Sequence, residues 1–289
     1  MTYLLLTACG ALFGLSYVLV REIVGTLGPI GVTVGRTLVG GLVLLLVAAL
    51  RGTPVRPRPR YLVLGLLSAA VPFSLISLSM LSLNAGTAAV LNASSPMFAL
   101  LIDSVGRRAW PRLLQVLGLV LASAGVVVVM AVRGLVGAVW GIVAGLAGAA
   151  VFAYAGFYAA RHFAASPPLA VAAGQQLAAC VLLAPLMLLF TPPGPVDSGA
   201  LGRLALLGVL CSALAYLLFY RLIATVGPAL TANVNLLVPM FGVLWGWLLL
   251  AEPIPLVSVA GMGLTVAGLA LVLRPAADGP PTSMPVGRR

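Results

Sequence analysis

Residues 92–98 read Asn-Ala-Ser-Ser-Pro-Met-Phe, and residues 235–241 read Asn-Leu-Leu-Val-Pro-Met-Phe, 143 positions further along the chain. Matches of Leu or Ala are common by chance in an apolar sequence, but a constant register that includes Asn and Pro is not. The same offset also matches, without a gap, Gly65 with Gly208, Ala89 with Ala232, Gly118 with Gly261 and Gly125 with Gly268. The pattern predicts a duplicated unit.

The composition is that of a membrane protein. Charged residues make up 7% of the chain and hydrophobic residues 62%, whereas a soluble domain carries roughly 25% charged residues. So few charges cannot cover the surface of a soluble protein of 289 residues. We therefore predict an all-α polytopic membrane protein that is surrounded by the lipid bilayer.

The net charge of +11 does not indicate a nucleic-acid partner, because the arginines stand singly or in small groups between apolar runs. Cys9, Cys180 and Cys211 each lie inside an apolar run, as small packing residues do. Their spacing matches neither a disulfide framework nor a metal site. The first apolar segment is too long for a signal sequence and has no basic residues before it, so we expect a retained first span.

Apolar segments of the length that a membrane-crossing helix needs, roughly 20 residues, occur along the whole chain. Gly and Pro mark several of their starts, as at Gly28-Pro29 and Gly227-Pro228. The ten predicted spans cover residues 3–20, 30–50, 61–81, 86–105, 113–132, 138–160, 168–190, 201–223, 229–250 and 255–273.

The arginines give the orientation of these spans, since cytoplasmic loops are enriched in basic residues. With the N-terminus in the cytoplasm, 12 arginines fall on the cytoplasmic side and 3 on the outer side, namely Arg21, Arg133 and Arg203. Nine or eleven spans would remove this bias. We predict ten spans in the bacterial inner (cytoplasmic) membrane, with both termini in the cytoplasm.

The duplication has a topological consequence. Each unit holds five spans, an odd number, so the two units enter the membrane in opposite orientations. The first five-helix repeat is expected at residues 1–133, the inverted second repeat at 138–274, and a disordered cytoplasmic tail at 275–289. Inverted repeats of this kind build alternating-access transporters, whose substrate sites lie near the bilayer midplane.

Arg36 is the most informative residue within a predicted span. It follows Pro29 by seven residues, which places it roughly 10 Å along the helix. A guanidinium in hydrocarbon is unfavourable and is usually paired or functional. Two interpretations stay open: Arg36 binds a substrate carboxylate in bidentate fashion, or it has a structural role, in which it packs between spans and bonds backbone carbonyls or extends outward to the membrane surface.

Polar side chains recur at matching depths in the two units. Gln175 stands in the second unit where Arg36 stands in the first, and Asn235 corresponds to Asn92. This predicts two polar layers, Arg36 with Asn92 nearer the outside and Gln175 with Asn235 nearer the cytoplasm. Buried polar groups need partners, which these residues find either in one another or in a solvated cavity that takes the substrate.

Two carboxylates are candidates for coupling transport to protons or ions. Asp103 and Glu252 lie near span ends, and Arg107 follows Asp103 at the spacing of a helix-surface ion pair. That ion pair is the structural alternative for Asp103, and anchoring of the 251–255 turn is the alternative for Glu252. Neither carboxylate is central in a span, so a proton-coupled carrier would lack the usual midmembrane acid.

Aromatic residues concentrate in the second unit. Tyr154 and Tyr158 share a helix face, as do Tyr216 and Tyr220, because each pair is four residues apart. Either these residues pack the core and the interfacial belts, or their hydroxyl groups line a cavity for amphipathic substrates. The candidate substrate-binding residues are Arg36, Asn92, Tyr154, Tyr158, Gln175, Tyr216, Tyr220 and Asn235.

The sequence argues against an enzyme and against ATP-driven pumping. It contains no phosphate-binding Gly-rich loop that ends in Lys, and its single histidine, His162, lies at a span end. Nucleophiles, bases and metal ligands do not cluster along the chain. We expect no catalytic residue, no cofactor and no metal.

At this point the sequence resembles the drug/metabolite transporter (DMT) superfamily, EamA type, in two copies. The motifs are short, but together with ten spans and the repeat they are specific for the family rather than for a substrate. They are Phe13-Gly14-Leu15-Ser16-Tyr17, Gly35-Arg36, Pro96-Met97-Phe98, Gln175-Gln176, Asn235 to Phe241, Leu250-Ala251-Glu252, Gly261 and Gly268. The family often closes the fourth span of each copy with Gly-Glu, whereas here Ala109 corresponds to Glu252, so the first-half Glu is absent.

The resemblance implies a ten-helix inner-membrane carrier with a central cavity formed mainly by spans one, three, four, six, eight and nine. We predict a secondary transporter that exports amino acids or similar amphipathic metabolites by alternating access. Its partners would be the small-molecule substrate, the bilayer and, for a coupled carrier, protons. The alternatives are an uptake carrier for a salvaged metabolite and a lipid flippase or scramblase, which would present a polar stripe reachable from the bilayer.

Overall fold

The computed structural model describes residues 2–83, 85–107, 112–131, 139–189, 194–231, 234–251, 254 and 256–272. Throughout these ranges the regular structure is helical, without strands, so the all-α prediction is confirmed. The helices are α1 (Thr2–Leu50), α2 (Pro59–Gly65), α3 (Val71–Ser79), α4 (Ala85–Asn92), α5 (Ser95–Arg107), α6 (Leu113–Ala131), α7 (Val139–Phe163), α8 (Pro168–Leu183), α9 (Ser198–Leu206), α10 (Ala215–Thr231), α11 (Val234–Leu250) and α12 (Leu256–Val272).

α1 is far longer than one membrane crossing. Its 49 residues extend roughly 74 Å at 1.5 Å per residue, against a hydrocarbon core of about 30 Å. The helix is broken at Gly28, which has φ 69° and ψ 163°, a conformation open to glycine, and Pro29 follows without an N–H donor. The break divides α1 into a first arm (2–27) and a second arm (29–50), each long enough to cross a membrane.

Two other junctions are continuous but not α-helical. A π-helical turn, Leu66–Ala70, joins α2 to α3, and a second one, Leu207–Leu214, joins α9 to α10. When the 143-residue offset is added to the positions of the first turn, they fall within the residue range of the second. The same irregularity therefore occurs at matching positions of the two halves. A π turn widens the helix and shifts the register of the residues that follow it.

The helices have the length and composition of membrane spans. Among the described residues, five stretches are long and apolar enough to cross a bilayer, and shorter apolar helices accompany them. The five are Leu4–Leu50, which contains the Gly28 break, Pro59–Ser79, Val139–Phe163, Pro168–Leu188 and Ser198–Val226. Together they support a multi-pass membrane protein.

Exposure and polarity are distributed as in a protein surrounded by lipid. Leu188 and Leu256 are 87% and 86% exposed, whereas Arg36 is 3% exposed and Gln175 is fully buried. In a bilayer, apolar side chains face outward without penalty and polar side chains gather inside. Any functional polar site therefore lies between the helices.

Glycines bring the helix backbones into direct contact. A Cβ atom on Gly268 of α12 would lie 2.3 Å from the backbone nitrogen of Ala122 on α6, and one on Gly14 of the first arm would lie 2.8 Å from the backbone nitrogen of Gly242 on α11. No side chain fits into either gap. Such small-residue contacts are a main source of helix association in membranes.

The two halves exchange contacts in a reciprocal way. A Cβ atom on Gly65, at the end of α2, would lie 2.7 Å from the carbonyl oxygen of Gln175 on α8. A Cβ atom on Gly208, 143 residues later, would lie 2.5 Å from the Cβ of Val39 on the second arm of α1. The helix that carries each π turn therefore packs against the opposite half of the chain.

Candidate functional site

Arg36 lies on the second arm of α1 and is held by the π turn of the other half. Its Nε donates to the Ser212 Oγ at 2.9 Å, and its Nη2 donates to the Cys211 carbonyl at 3.5 Å. The guanidinium carbon also lies 3.9 Å from the centroid of the Phe73 ring, within cation–π range. Each of these partners is neutral.

The carboxylates whose side chains the structure describes are engaged elsewhere. Glu22 Oε2 pairs with Arg203 Nε at 3.0 Å, and Asp197 Oδ1 accepts the Ala200 N–H at 2.7 Å and so caps α9. A buried cation that has only neutral partners keeps much of its desolvation penalty. The environment of Arg36 therefore favours an anionic ligand.

A cavity of about 40 Å³ opens beside Arg36, enough space for roughly three water molecules. Of the predicted substrate-binding residues, Arg36, Asn92, Tyr216 and Asn235 all line it. A solute of more than a few heavy atoms would need the walls to move apart. The lining residues are Phe13, Ser16, Tyr17, Val20, Arg36, Pro72, Phe73, Ile76, Met80, Asn92, Phe152, Tyr216 and Asn235.

The first arm of α1 contributes polar residues that our sequence-based selection omits. Ser16 and Tyr17 line the cavity, and the buried Tyr17 lies beside the side chain of Asn92. Ser16 Oγ donates to the carbonyl of Phe13 at 2.7 Å. The sequence signal that points to them is the motif at residues 13–17, which carries the family resemblance.

Asn235 lies in the same cavity as Arg36 and Asn92, not with Gln175. This differs from the two polar layers expected from the sequence. Position along a helix gives the depth of a residue, but it does not say which way the residue points around the helix axis. The amides of the two halves meet at one cavity because α4 and α11 both turn them inward.

Gln175 belongs to a separate polar cluster. Its Oε1 accepts from the Tyr220 hydroxyl at 2.6 Å and from the hydroxyl of Ser68, which lies in the first π turn. Tyr216 contacts both groups, since it lines the cavity and donates to the Ser68 carbonyl at 3.1 Å. We call Ser68, Gln175 and Tyr220 the Gln175 cluster.

The remaining tyrosine candidates lie away from the cavity. Tyr154 is 49% exposed on the outer face of α7. Tyr158 stacks on His162 with ring centroids 4.3 Å apart, and its carbonyl lies 3.0 Å from the His162 Nδ1. The structure therefore does not bring Tyr154 or Tyr158 together with the other candidates.

The coupling candidates fall largely outside the described residues. Asp103 belongs to the backbone of α5, but its side chain is not among those described. Glu252 and Ala109 lie outside the described ranges altogether. The roles predicted for Asp103 and Glu252 stay predictions.

The fold and the site together define a class of protein. Apolar helices enclose a cavity that is lined by apolar and polar side chains and that contains a buried cation. Ionisable residues buried in a membrane protein commonly mark a path for a solute or an ion. The class is that of membrane transporters.

The chain belongs to the EamA-like transporter family of the DMT superfamily, whose profile matches residues 1–131 and again residues 139–274. Members of this family are transporters rather than enzymes. The uncharacterized inner membrane transporter YedA of Escherichia coli K12 is 30% identical over 93% of this chain and 91% of its own length. This similarity supports a multi-pass protein of the inner membrane.

More distant relatives extend the comparison. An uncharacterized transporter of Archaeoglobus fulgidus is 22% identical, over 91% of this chain and 95% of its own length. A protein of known crystal structure aligns with a TM-score of 0.72 at 20% identity, over 93% of this chain and 95% of that one. At this identity the crystal structure supports the fold alone.

Proposed function

We propose that the protein is a secondary transporter that exports small organic metabolites, namely amino acids or similar amphipathic compounds, by alternating access. The observation that carries the proposal is Arg36, a buried cation with neutral partners at the edge of a cavity lined by both polar and apolar side chains. A substrate carboxylate would supply the counter-charge. The cavity rings of Phe13 and Phe152 would contact the apolar part of the substrate.

Alternating access needs an architecture that can rock about a central site. We propose ten spans in two inverted five-helix repeats, at residues 1–133 and 138–274. The reciprocal contacts of Gly65 and Gly208 and the matching π turns support this arrangement. The arginine distribution supports cytoplasmic termini.

The test is a solute screen with purified protein in proteoliposomes. Amino acids, nucleosides and cationic drugs would be compared by thermal shift and then by counterflow of the labelled compound. We expect stabilisation and counterflow with amphipathic carboxylates, because they match Arg36. Counterflow of cationic drugs alone would overturn the proposed substrate class, and an absence of counterflow with every class would overturn the transporter proposal.

Export and coupling need separate measurements. Cells that contain the protein should retain less of the identified substrate after preloading than cells with an empty vector, and greater retention would indicate uptake. An imposed pH gradient should drive accumulation in proteoliposomes only if transport is linked to protons. Charge-removing variants Asp103→Asn and Glu252→Gln would show whether either carboxylate carries that link.

The lipid flippase alternative makes a different structural demand. It needs polar groups that are reachable from the bilayer, whereas Arg36, Asn92 and Asn235 are 3%, 8% and 6% exposed. Their burial favours a solute that enters from water. Movement of a fluorescent phospholipid across the proteoliposome membrane, without solute counterflow, would favour the flippase instead.

A further inference from the structure

The sites around Arg36 and Gln175 are built on the same plan from opposite halves. The 143-residue offset that relates the two π turns pairs Ser68 with Cys211. Arg36, from the first half, bonds to Cys211 and Ser212 in the π turn of the second half. Gln175, from the second half, bonds to Ser68 in the π turn of the first half. The two polar residues are therefore structural counterparts.

These counterparts are in different states. Arg36 opens onto the cavity, together with Asn92 and Asn235. Gln175 is fully buried, does not line the cavity, and is covered by the Tyr220 hydroxyl. Inverted repeats that rock against each other around a central site would expose one side of it and enclose the other in each of their two states, and the difference between Arg36 at a cavity and Gln175 without one fits a single such state.

The closed side contains polar atoms that lack partners. Gln175 Nε2 and Gln176 Oε1 are buried and have no hydrogen-bond partner among the described residues, although Gln176 Nε2 donates to the Ser212 carbonyl at 3.2 Å. Turning the Gln175 amide over would exchange its atoms and still leave one of them unpaired. Each unmade hydrogen bond disfavours the closed state by roughly 5- to 150-fold.

We infer that the Gln175 cluster is a second polar station on the transport path, closed in this conformation and open to solute when the Arg36 side closes. The inference rests on the proposed function, since it requires a carrier that alternates. The Gln175 amide N–H and the Gln176 amide oxygen would bind neutral hydrogen-bonding groups of the solute, such as a carbonyl or a hydroxyl. In the predicted orientation this station faces the cytoplasm.

The test measures opening directly. The native cysteines Cys9, Cys180 and Cys211 are first replaced by alanine, and a Ser68→Cys reporter is labelled with a membrane-impermeant maleimide in vesicles of both orientations. The double variant Gln175→Leu/Tyr220→Phe removes the unpaired Gln175 amide together with its hydroxyl partner, so the closed state loses the part of the penalty that comes from Gln175, while that of Gln176 stays. We expect labelling of the Ser68→Cys reporter to slow by about tenfold.

Two controls separate closure from damage. A Ser16→Cys reporter at the cavity should label at the parent rate or faster in the double variant, and the thermal midpoint should stay equal or rise. Tyr158→Phe, outside the cluster, should leave both reporters unchanged. Unchanged or faster labelling of the Ser68→Cys reporter in the double variant would overturn the inference, as would a parent reporter that labels from neither side.

The labelling needs no substrate, so its outcome is independent of the transport assay. Where the wild-type protein shows counterflow of a solute, the double variant should lose that exchange by at least about tenfold. If the wild-type protein shows the expected labelling but no counterflow of any solute, the proposed function is refuted. The conclusion that the Gln175 cluster opens to solvent would still hold in that case. Normal counterflow in the double variant would refute the station.

Discussion

Replacement of Arg36 by glutamine tests the proposed substrate contact. The change removes the positive charge but keeps a side-chain amide that reaches toward Ser212. In the wild-type protein Arg36 is 3% exposed, and its hydrogen bonds to described residues go to Ser212, at 2.9 Å, and to the Cys211 carbonyl, at 3.5 Å. Arg36→Gln therefore removes a charge that no described carboxylate neutralises.

The expected loss is in affinity for the substrate. A hydrogen bond to a charged group contributes about 1.5–3 kcal/mol, which corresponds to a rise of roughly 10- to 150-fold in the half-saturating concentration for transport. Stability should change little. The loss of two hydrogen bonds and of the contact with Phe73 is offset by relief of the desolvation of a buried cation.

The assay is concentration-dependent counterflow in proteoliposomes, paired with thermal unfolding in detergent. Arg58→Gln is the matched control, because Arg58 is exposed, its Nη1 lies 3.5 Å from the Ser166 Oγ, and neither residue lines the cavity. A carboxamide analogue of the substrate, which has no negative charge, should inhibit counterflow equally in the wild-type protein and in Arg36→Gln. Unchanged half-saturation in Arg36→Gln, or a variant that does not fold, would refute substrate binding by Arg36.

Further predictions concern the helix contacts and the support of Arg36. Gly268→Ala should lower the unfolding midpoint by an amount equivalent to about 1–3 kcal/mol, because its Cβ would lie 2.3 Å from a backbone nitrogen of α6. Gly156→Ala is the control, because a Cβ there would have no described atom of another helix within 4 Å, and it should change the midpoint by less than about 1 kcal/mol. Equal midpoints for the two variants would contradict the packing at Gly268. Gly28→Ala should destabilise the folded protein by about 1–3 kcal/mol in the same measurement, because φ is 69° at this residue. An unfolding midpoint equal to that of the wild type would show that the backbone at the break can adopt another conformation without cost. Ser212→Ala should raise the half-saturating concentration for counterflow by roughly fivefold, because the Arg36 Nε loses its hydrogen-bond acceptor. An unchanged concentration would show that the Cys211 carbonyl alone is enough to position Arg36.

The sequence predicts the helical class and part of the cavity, because both depend on signals that are local. Arg36, Asn92 and Asn235 are conspicuous as polar residues inside apolar runs, and all of them line the cavity. Their selection needs no knowledge of which helices are neighbours. A polar residue inside a membrane span must face other helices or a cavity.

The direction of a helix face is the part that sequence does not give. Tyr154 and Tyr216 each begin a tyrosine pair of the same spacing, yet Tyr154 faces outward and Tyr216 lines the cavity. A soluble helix shows its buried face by amphipathicity, but both faces of α7 are apolar. The contacts of Ser68 and Ser212 cannot be predicted from the sequence for a second reason. Both residues lie in π turns, and a π turn has no clear sequence pattern.

The π turns also determine how the chain tolerates changes in length. A π turn takes in about one more residue than an α-helical turn, so deletion of one residue within Leu66–Ala70 would restore α-helical winding and leave the rest of that helix in nearly its present orientation. Phe73 would stay beside the guanidinium that it now faces at 3.9 Å. The same deletion in a regular part of the helix would rotate every following residue by about 100° and turn that ring away from the cavity, so the π turn is the place in this wall where the chain can lose a residue and keep its geometry.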